Sequence, residues 1–365
     1  MPDRVYLDAN ATEPLRPAAR AAALAALDLT GNPASVHGFG RGARALLETA
    51  RETIAARFGG HPADLVFTSG GTEANALAIA GLGAGRRRIV SAIEHAAVRE
   101  AAPEAAILPV DRQGIADLAR LAALLAEGPP AFVALMLANN ETGVIQPIAE
   151  AAALCRRFGA HLHVDAVQAA GRIACDFTAL GAASLALSGH KLGGPAGAGA
   201  LLLDADAAKR LAPLIVGGGQ ERGRRGGTPP LAAIAGFAAA AAATADPADL
   251  APLRDAAEAA AIEAGAVVCG AGAPHLPNTT CLALPGVKAE TQVIALDLAG
   301  IAVSAGAACS SGKIAQSHVL AAMGLGDLAG QAIRVSLPWS ATAADITAFS
   351  NAYRAMAARL ARRAA

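Results

Sequence analysis

Aromatic side chains are scarce in this 365-residue chain: one Trp, two Tyr and eight Phe, 3% in all. Any large core must be filled by Ala, Leu, Val and Ile, within a hydrophobic fraction of 54%. Net charge is also missing. Thirty Lys and Arg cancel thirty Asp and Glu, which leaves no overall field to draw nucleic acid or an anionic membrane. No run suits a bilayer span, which needs about 20 strongly apolar residues. The longest, Leu231 to Ala245, is short, alanine-dominated and followed by Asp246, and it reads as a packing helix. Met1 to Leu7 is polar with no apolar centre, so no signal peptide is expected. The five cysteines include no C-x-x-C, which argues against a disulfide framework and for a reducing cytoplasm.

The length allows one large core, or a large and a small domain. Short apolar runs at Leu65–Thr68, Arg88–Ser91, Ala131–Leu137, His161–Asp165, Ser184–Ser188 and Gly199–Leu203 read as strands. Longer segments between them, such as Ile115–Glu127 and Ile148–Phe158, repeat apolar residues at helical spacing. That alternation predicts an α/β fold with a mainly parallel sheet between helices. Beyond Pro247 the pattern shifts to a helix near Leu253–Ala264, short strands near Ala266–Cys269 and Thr280–Leu284, and terminal helices. This predicts a smaller α/β domain, with the boundary near Ala245–Leu250. No internal repeat is present. Ala238–Ala243 is low in complexity, but its composition favours helix.

Chemistry concentrates where predicted strands end, the usual ligand edge of an open α/β sheet. Ser188-Gly189-His190-Lys191 follows an apolar strand and leads into glycine-rich sequence, so small neighbours leave the lysine amine approachable. Asp165 closes the preceding strand, about one crossover upstream. A carboxylate for a pyridinium nitrogen and a lysine for a Schiff base are what pyridoxal phosphate asks of a protein. Together, in this order, they point to a pyridoxal-phosphate enzyme.

Other residues carry two readings each. Thr68-Ser69-Gly70-Gly71-Thr72-Glu73 opens a helix after a strand; it is either an ordinary cap or an anion cradle for a phosphate. It is neither a P-loop nor a dinucleotide fingerprint, and Gly38, Gly40 and Gly42 follow no strand. His161, His163 and Asp165 alternate along one strand and share a face, a spacing that invites a metal. No further cluster completes a coordination shell, so no metal is assigned. His95 is either a satisfied loop histidine or a ring that stacks on an aromatic cofactor. Cys155, Cys175, Cys269 and Cys281 sit in helix-like or apolar surroundings and read as buried thiols. Cys309 lies in Ser304–Lys313, small and polar, where it is either a turn residue or a reactive thiolate. Gly217–Thr228 holds three arginines and a threonine, too glycine-rich for regular structure; it reads as an anion-binding or subunit-contact loop rather than a linker.

These motifs, with Tyr6–Thr12, Gly31–His37, Glu94-His95, Asn139-Asn140-Glu141-Thr142-Gly143, His163–Gln168 and Ile333–Leu337, resemble the NifS/IscS-type cysteine desulfurases of aminotransferase class V over nearly the whole chain. Ser304–Gly312 looks like the nucleophile loop of that branch. The resemblance implies pyridoxal-phosphate transferase fold type I. Residues 16–250 would form the large domain, and 1–15 with 251–365 the small domain carrying loop 304–312. Lys191 would hold the cofactor and move protons, Asp165 would pair with its ring nitrogen, and Gln168 would bond the ring oxygen. His95 would stack on the ring and assist proton transfer. Gly71, Thr72, Ser188 and His190 would hold the phosphate, joined by Thr228 from the second subunit of a homodimer. Asn32, Asn140 and Arg334 would position L-cysteine, Arg334 by a bidentate grip, with Asn140 also touching the cofactor. Cys309 would take the sulfur, leaving L-alanine, and pass it to an acceptor serving iron–sulfur clusters, tRNA thiolation or a molybdenum cofactor.

Three departures stand out. Ala76 replaces a frequent Asn, Pro338-Trp339 replaces a Gly-Arg, and no tail follows Ala365 of the kind that docks an iron–sulfur scaffold in IscS-like members. The last leads to the expectation of an acceptor other than a tail-docked scaffold. The runners-up are a selenocysteine lyase or another class V relative, and, outside enzymes, a degenerate fold kept for binding. Intact Lys191, Asp165, His95 and Cys309 argue against degeneracy.

Overall fold

The structure, a computed structural model, describes residues 4–244, 250–306 and 316–364. Cys309 and most of loop 304–312 lie outside the described residues. The chain opens with β1 (Val5–Tyr6) and the helices α1 (Pro17–Leu27) and α2 (Gly38–Arg57). There follow β2 (Leu65–Thr68), α3 (Gly71–Leu82), β3 (Arg87–Ser91), β4 (Ala106–Leu108), β5 (Ala131–Ala134), β6 (His161–Asp165), β7 (Ser184–Ser188) and β8 (Gly199–Leu203). Strands β2 to β8 make one sheet in the order β2-β8-β7-β6-β5-β3-β4. From β7 to β4 all neighbours are parallel, while β8 is antiparallel to both β7 and β2. The mainly parallel α/β sheet read from the sequence is present.

Side chains of each strand alternate between two cores. Leu162 and Val164 of β6 pack with Val133, Leu185 and Leu202 on one face. Phe132, Ala134, Ala186 and Leu201 pack with Ala74, Leu77 and Ala78 of α3 on the other. Period-two alternation therefore turns His163 and Asp165 toward α3. The alanines of α3 let the helix lie close to the sheet. Alanine works the same way in Leu231–Ala242, against which both α1 and α2 pack.

The second sheet is antiparallel. Strands β9 (Val267–Val268), β10 (Thr279–Ala283), β11 (Ile301–Ala302), β12 (Ser304–Ala305) and β13 (Ala332–Ser336) complete the set. Four of them pair in the order β12-β13-β10-β9, and β11 instead runs parallel to β1. Leu282, Ile333, Val335, Phe349 and Tyr353 fill a separate core beneath the helices Ala251–Glu263 and Ala343–Ala364. The N-terminal segment joins the two sheets. Its Asp8 bridges to Ser336, and Asn10 donates through Nδ2 to Asn140 O at 3.1 Å and Thr279 Oγ1 at 3.0 Å.

Two boundaries differ from the sequence reading for local reasons. β5 ends at Ala134 rather than Leu137, although Leu135 and Leu137 still donate backbone bonds to His163 O and Asp165 O. The helix expected from Ile115 starts at Leu118, because the Asp117 carboxylate accepts from Arg120 N and caps it there. The edge strand β4 was not foreseen. Three residues with Ile107 half exposed carry no periodic signal.

Candidate active site

The carboxyl ends of β6 and β7, the start of α3, the N-terminal segment and β13 surround a cavity of about 310 Å³. Of the residues singled out from sequence, it gathers Gly71, Thr72, His95, Asn140, Asp165, Gln168, Ser188, His190, Lys191 and Arg334. That size is within the usual range for small-molecule pockets.

Lys191 ends a 3₁₀ turn, Gly189–Lys191, that follows β7 directly. Its Nζ donates to Asn10 O at 2.5 Å and Ala11 O at 2.8 Å. Burial, then the guanidinium groups of Arg334 and Arg172, pull the amine down to about 7, against a smaller opposing pull from Asp8 and Asp165. An amine neutral near pH 7 is a nucleophile toward an aldehyde. Asp165 closes β6. Its Oδ1 accepts from Val167 N at 2.9 Å and its Oδ2 from Asn75 Nδ2 at 2.7 Å. Burial raises its pKa, and these two donors, then His95 and Lys191, work against that rise. Glu94, deeper still, is pushed well up by burial and by Asp165.

The start of α3 gives one end of the cavity donors suited to an anion. First-turn N–H groups lack intrahelical partners and sit at the positive end of the helix. Gly71 is obligatory here, since an added Cβ would stand 2.6 Å from Val167 Cγ2. Ser188 closes β7 beside this turn, its Oγ 3.9 Å from where a Cβ on Gly70 would lie. His190 Nδ1 lies 3.0 Å from Thr12 Oγ1. Burial, Lys191 and Arg172 lower its pKa to about 4, so the ring is neutral. His95 caps the helix Ala96–Arg99. Ala97 N donates to its Nδ1 at 3.1 Å. Gln168 Nε2 donates to Asn10 O at 3.0 Å, and its Oε1 accepts from Arg172.

Arg334 sits mid-strand in β13. It donates from Nη1 to Asn140 O at 3.1 Å and from Nη2 to Asp8 Oδ1 at 2.6 Å, while its Nε is buried without a partner among the described residues. A guanidinium aimed across the cavity from Lys191 suits a small carboxylate ligand.

A neutral lysine, a buried carboxylate and a glycine-gated helix start, all on one cavity, fit pyridoxal phosphate. Asn32 is placed elsewhere, in a second cavity of about 340 Å³ with Gly219, Glu221 and Pro229. Thr228 is exposed on the same loop. Four site residues were not foreseen as such: Asp8, Asn10, Asn75 and Arg172. Asp8 and Asn10 left a trace, two polar residues spaced as on one strand face beside apolar Leu7 and Ala9. Asn75 and Arg172 left none.

The aminotransferase class-V family model matches residues 5–349. An IscS-like cysteine desulfurase of Mycobacterium tuberculosis (strain ATCC 25618 / H37Rv) is 38% identical, covering 99% of this chain and 98% of the relative. A cysteine desulfurase of Cereibacter sphaeroides is 41% identical, over 94% and 93%. Among solved structures, a NifS-like protein from Rickettsia africae ESF-5 superposes with a TM-score of 0.88 at 34% identity, covering 97% of this chain and 99% of that one. A structure described as SspA in complex with cysteine superposes at 0.81 with 28% identity, over 92% and 99%.

Proposed function

Because the chain belongs to the aminotransferase class-V family, we infer that it is a pyridoxal-phosphate-dependent cysteine desulfurase, which removes sulfur from L-cysteine and hands it to an acceptor. The observation that carries this reading is the one cavity that Lys191, Asp165 and Arg334 all line. Relatives named cysteine desulfurase, which cover nearly the whole chain, support the substrate.

When bound, the cofactor supplies an electron sink for bonds broken at the substrate's α-carbon. The chain's own residues do the rest. Lys191 would hold the cofactor aldehyde and would move protons at the substrate. Asp165 would pair with the ring nitrogen. The first turn of α3 with Thr72, Ser188 and His190 takes the phosphate, and Gln168 takes the ring oxygen. His95, which lines the cavity, would stack on the ring and assist proton transfer. Arg334 and Asn140 hold the substrate carboxylate. The Cys309 thiolate would attack the substrate sulfur; the carbon–sulfur bond would break, and its electron pair, left on the substrate, would take up a proton at that carbon. L-alanine leaves, and the sulfur stays on Cys309 as a persulfide.

The working unit in this reading is a homodimer. Asn32 and Thr228 belong to two adjoining surface segments that also expose Val36, Phe39 and Val216, at 84%, 67% and 76% of their area. A second copy would cover those apolar side chains and bring Thr228 to its partner's phosphate.

The test is to add L-cysteine to the loaded protein and map sulfur by peptide mass spectrometry. One extra sulfur atom is expected on the peptide that holds Cys309. Extra sulfur confined to the peptides of Cys155, Cys175, Cys269 or Cys281 would contradict the assignment.

A further inference from the structure

The H-x-H-x-D alternation that suggested a metal has another use in the folded chain. A buried line of hydrogen bonds runs from Ser184 through His163 and Asn75 to Asp165. His163 Nδ1 lies 2.8 Å from Ser184 Oγ, and its Nε2 lies 2.8 Å from Asn75 Oδ1. Asn75 Nδ2 then donates to Asp165 Oδ2 at 2.7 Å. Ser184 and His163 are 0% exposed and Asn75 1%, so no water competes for these groups.

Donor and acceptor rules fix every hydrogen in the line. A carboxylate only accepts, so the amide of Asn75 must turn its NH₂ to Asp165 and its oxygen to the ring. That oxygen only accepts, so His163 carries its hydrogen on Nε2. Nδ1 is then bare and accepts from the Ser184 hydroxyl. Phe132 stacks on the ring, centroids 5.9 Å apart and planes 21° apart, and holds its plane. Burial lowers His163 to about 3, so the ring stays neutral at any working pH.

We propose that His163 is a positioning residue for Asp165: through Asn75 it fixes the orientation of the carboxylate that faces the cavity and keeps a charge-favouring donor on it. The inference rests on reading Asp165 as the partner of the cofactor's ring nitrogen. Without His163, Asn75 is free to rotate and present its oxygen to Asp165. The carboxylate would then keep only the Val167 N–H.

The first test uses the cofactor-free protein. Histidine labelled with ¹⁵N in the ring, followed by long-range proton–nitrogen correlation, should show a ring with bare Nδ1 and protonated Nε2 whose signals vanish in His163→Gln. A hydrogen on Nδ1 of that ring overturns the proposal.

The second test compares His163→Leu with His163→Gln, because a glutamine amide can still donate to Asn75 and leucine cannot. The Leu variant should hold pyridoxal phosphate about tenfold more weakly and lower kcat by a similar factor, the scale of one lost bond to a charged group. KM for L-cysteine should stay near the wild-type value, and the Gln variant should recover most of both losses. Equal losses in the two folded variants would mean that general packing, not the line, is at work, and would overturn the proposal. Should the Leu variant not fold, the wild-type tautomer and the Gln variant decide. Asp165→Asn separates the two claims. If Asp165→Asn binds and turns over like wild type, the reading of Asp165 has failed. If it is crippled while His163→Leu matches wild type, only the positioning line has failed.

Discussion

Arg334 and Asp8 form an ion pair at the cavity wall, with Nη2 and Oδ1 2.6 Å apart. They stand at opposite ends of the sequence, joined because β1 and the segment after it lie along the second sheet. The pair has a functional consequence. A substrate carboxylate must take Arg334 from Asp8 or share it.

Arg334→Lys should therefore raise KM for L-cysteine by about 10- to 100-fold, since one donor replaces a forked pair. Asp8→Asn, which weakens the competitor, should lower KM. Steady-state kinetics checks both, and an unchanged KM in Arg334→Lys would remove the arginine from substrate binding.

Lys191 should give the cofactor-free protein a distinct pH profile. With its amine near 7, the rate of attachment of pyridoxal phosphate should rise through about pH 7 and then level off. Arg334→Ala removes a positive neighbour and should move the inflection upward. The sign for stability follows from linkage. Between the folded value of about 7 and the ordinary 10.5 the unfolded chain binds more protons, so this group's contribution to stability rises with pH across that window. Absorbance stopped-flow over a pH series measures the first effect and urea unfolding the second.

Cysteine substitutions should separate sulfur transfer from cofactor binding. Cys309→Ser should keep the cofactor's visible band and bind L-cysteine, yet release almost no sulfide, because a hydroxyl is hardly ionised at neutral pH. Burial pushes the Cys155 and Cys175 thiols up to about 12. Replacing either with serine should leave most of the sulfide production. Its loss in either variant would contradict this division of labour.

Glu221 and Arg51 supply a stability test away from the cavity. Two N–H···O bonds of 2.8 Å join them, with 4% and 7% of the side chains exposed. Phe67 N adds a third bond to Glu221 at 2.9 Å. Glu221 holds φ at 49°, an unusual value for a residue with a side chain, so the pairing offsets local strain. Glu221→Ala leaves a buried guanidinium uncompensated and should cost about 3–5 kcal/mol. Arg51→Leu combined with it should cost less than the two singles added, as read by urea denaturation.

How much was legible follows from what each residue depends on. Lys191 and Asp165 could be found because strand ends leave a local mark, an apolar run broken by small polar residues. The parallel sheet was legible for the same reason. Asn75 was not, since its role exists only once α3 lies on β6 and brings it to His163 and Asp165. Arg172 and Asp8 likewise act through partners far along the chain, Glu13 and Arg334. His163 was half legible. Alternation put it on the Asp165 face, but the amide between them comes from another element. β4 escaped because an exposed three-residue edge strand has too few residues to show a period.

The most direct measurement is the product balance from L-cysteine, with a thiol reductant present to release bound sulfur. The account predicts equal amounts of L-alanine and sulfide from the loaded wild-type protein, and neither from Lys191→Ala. Pyruvate and ammonia in place of alanine, or undiminished turnover by Lys191→Ala, would contradict it.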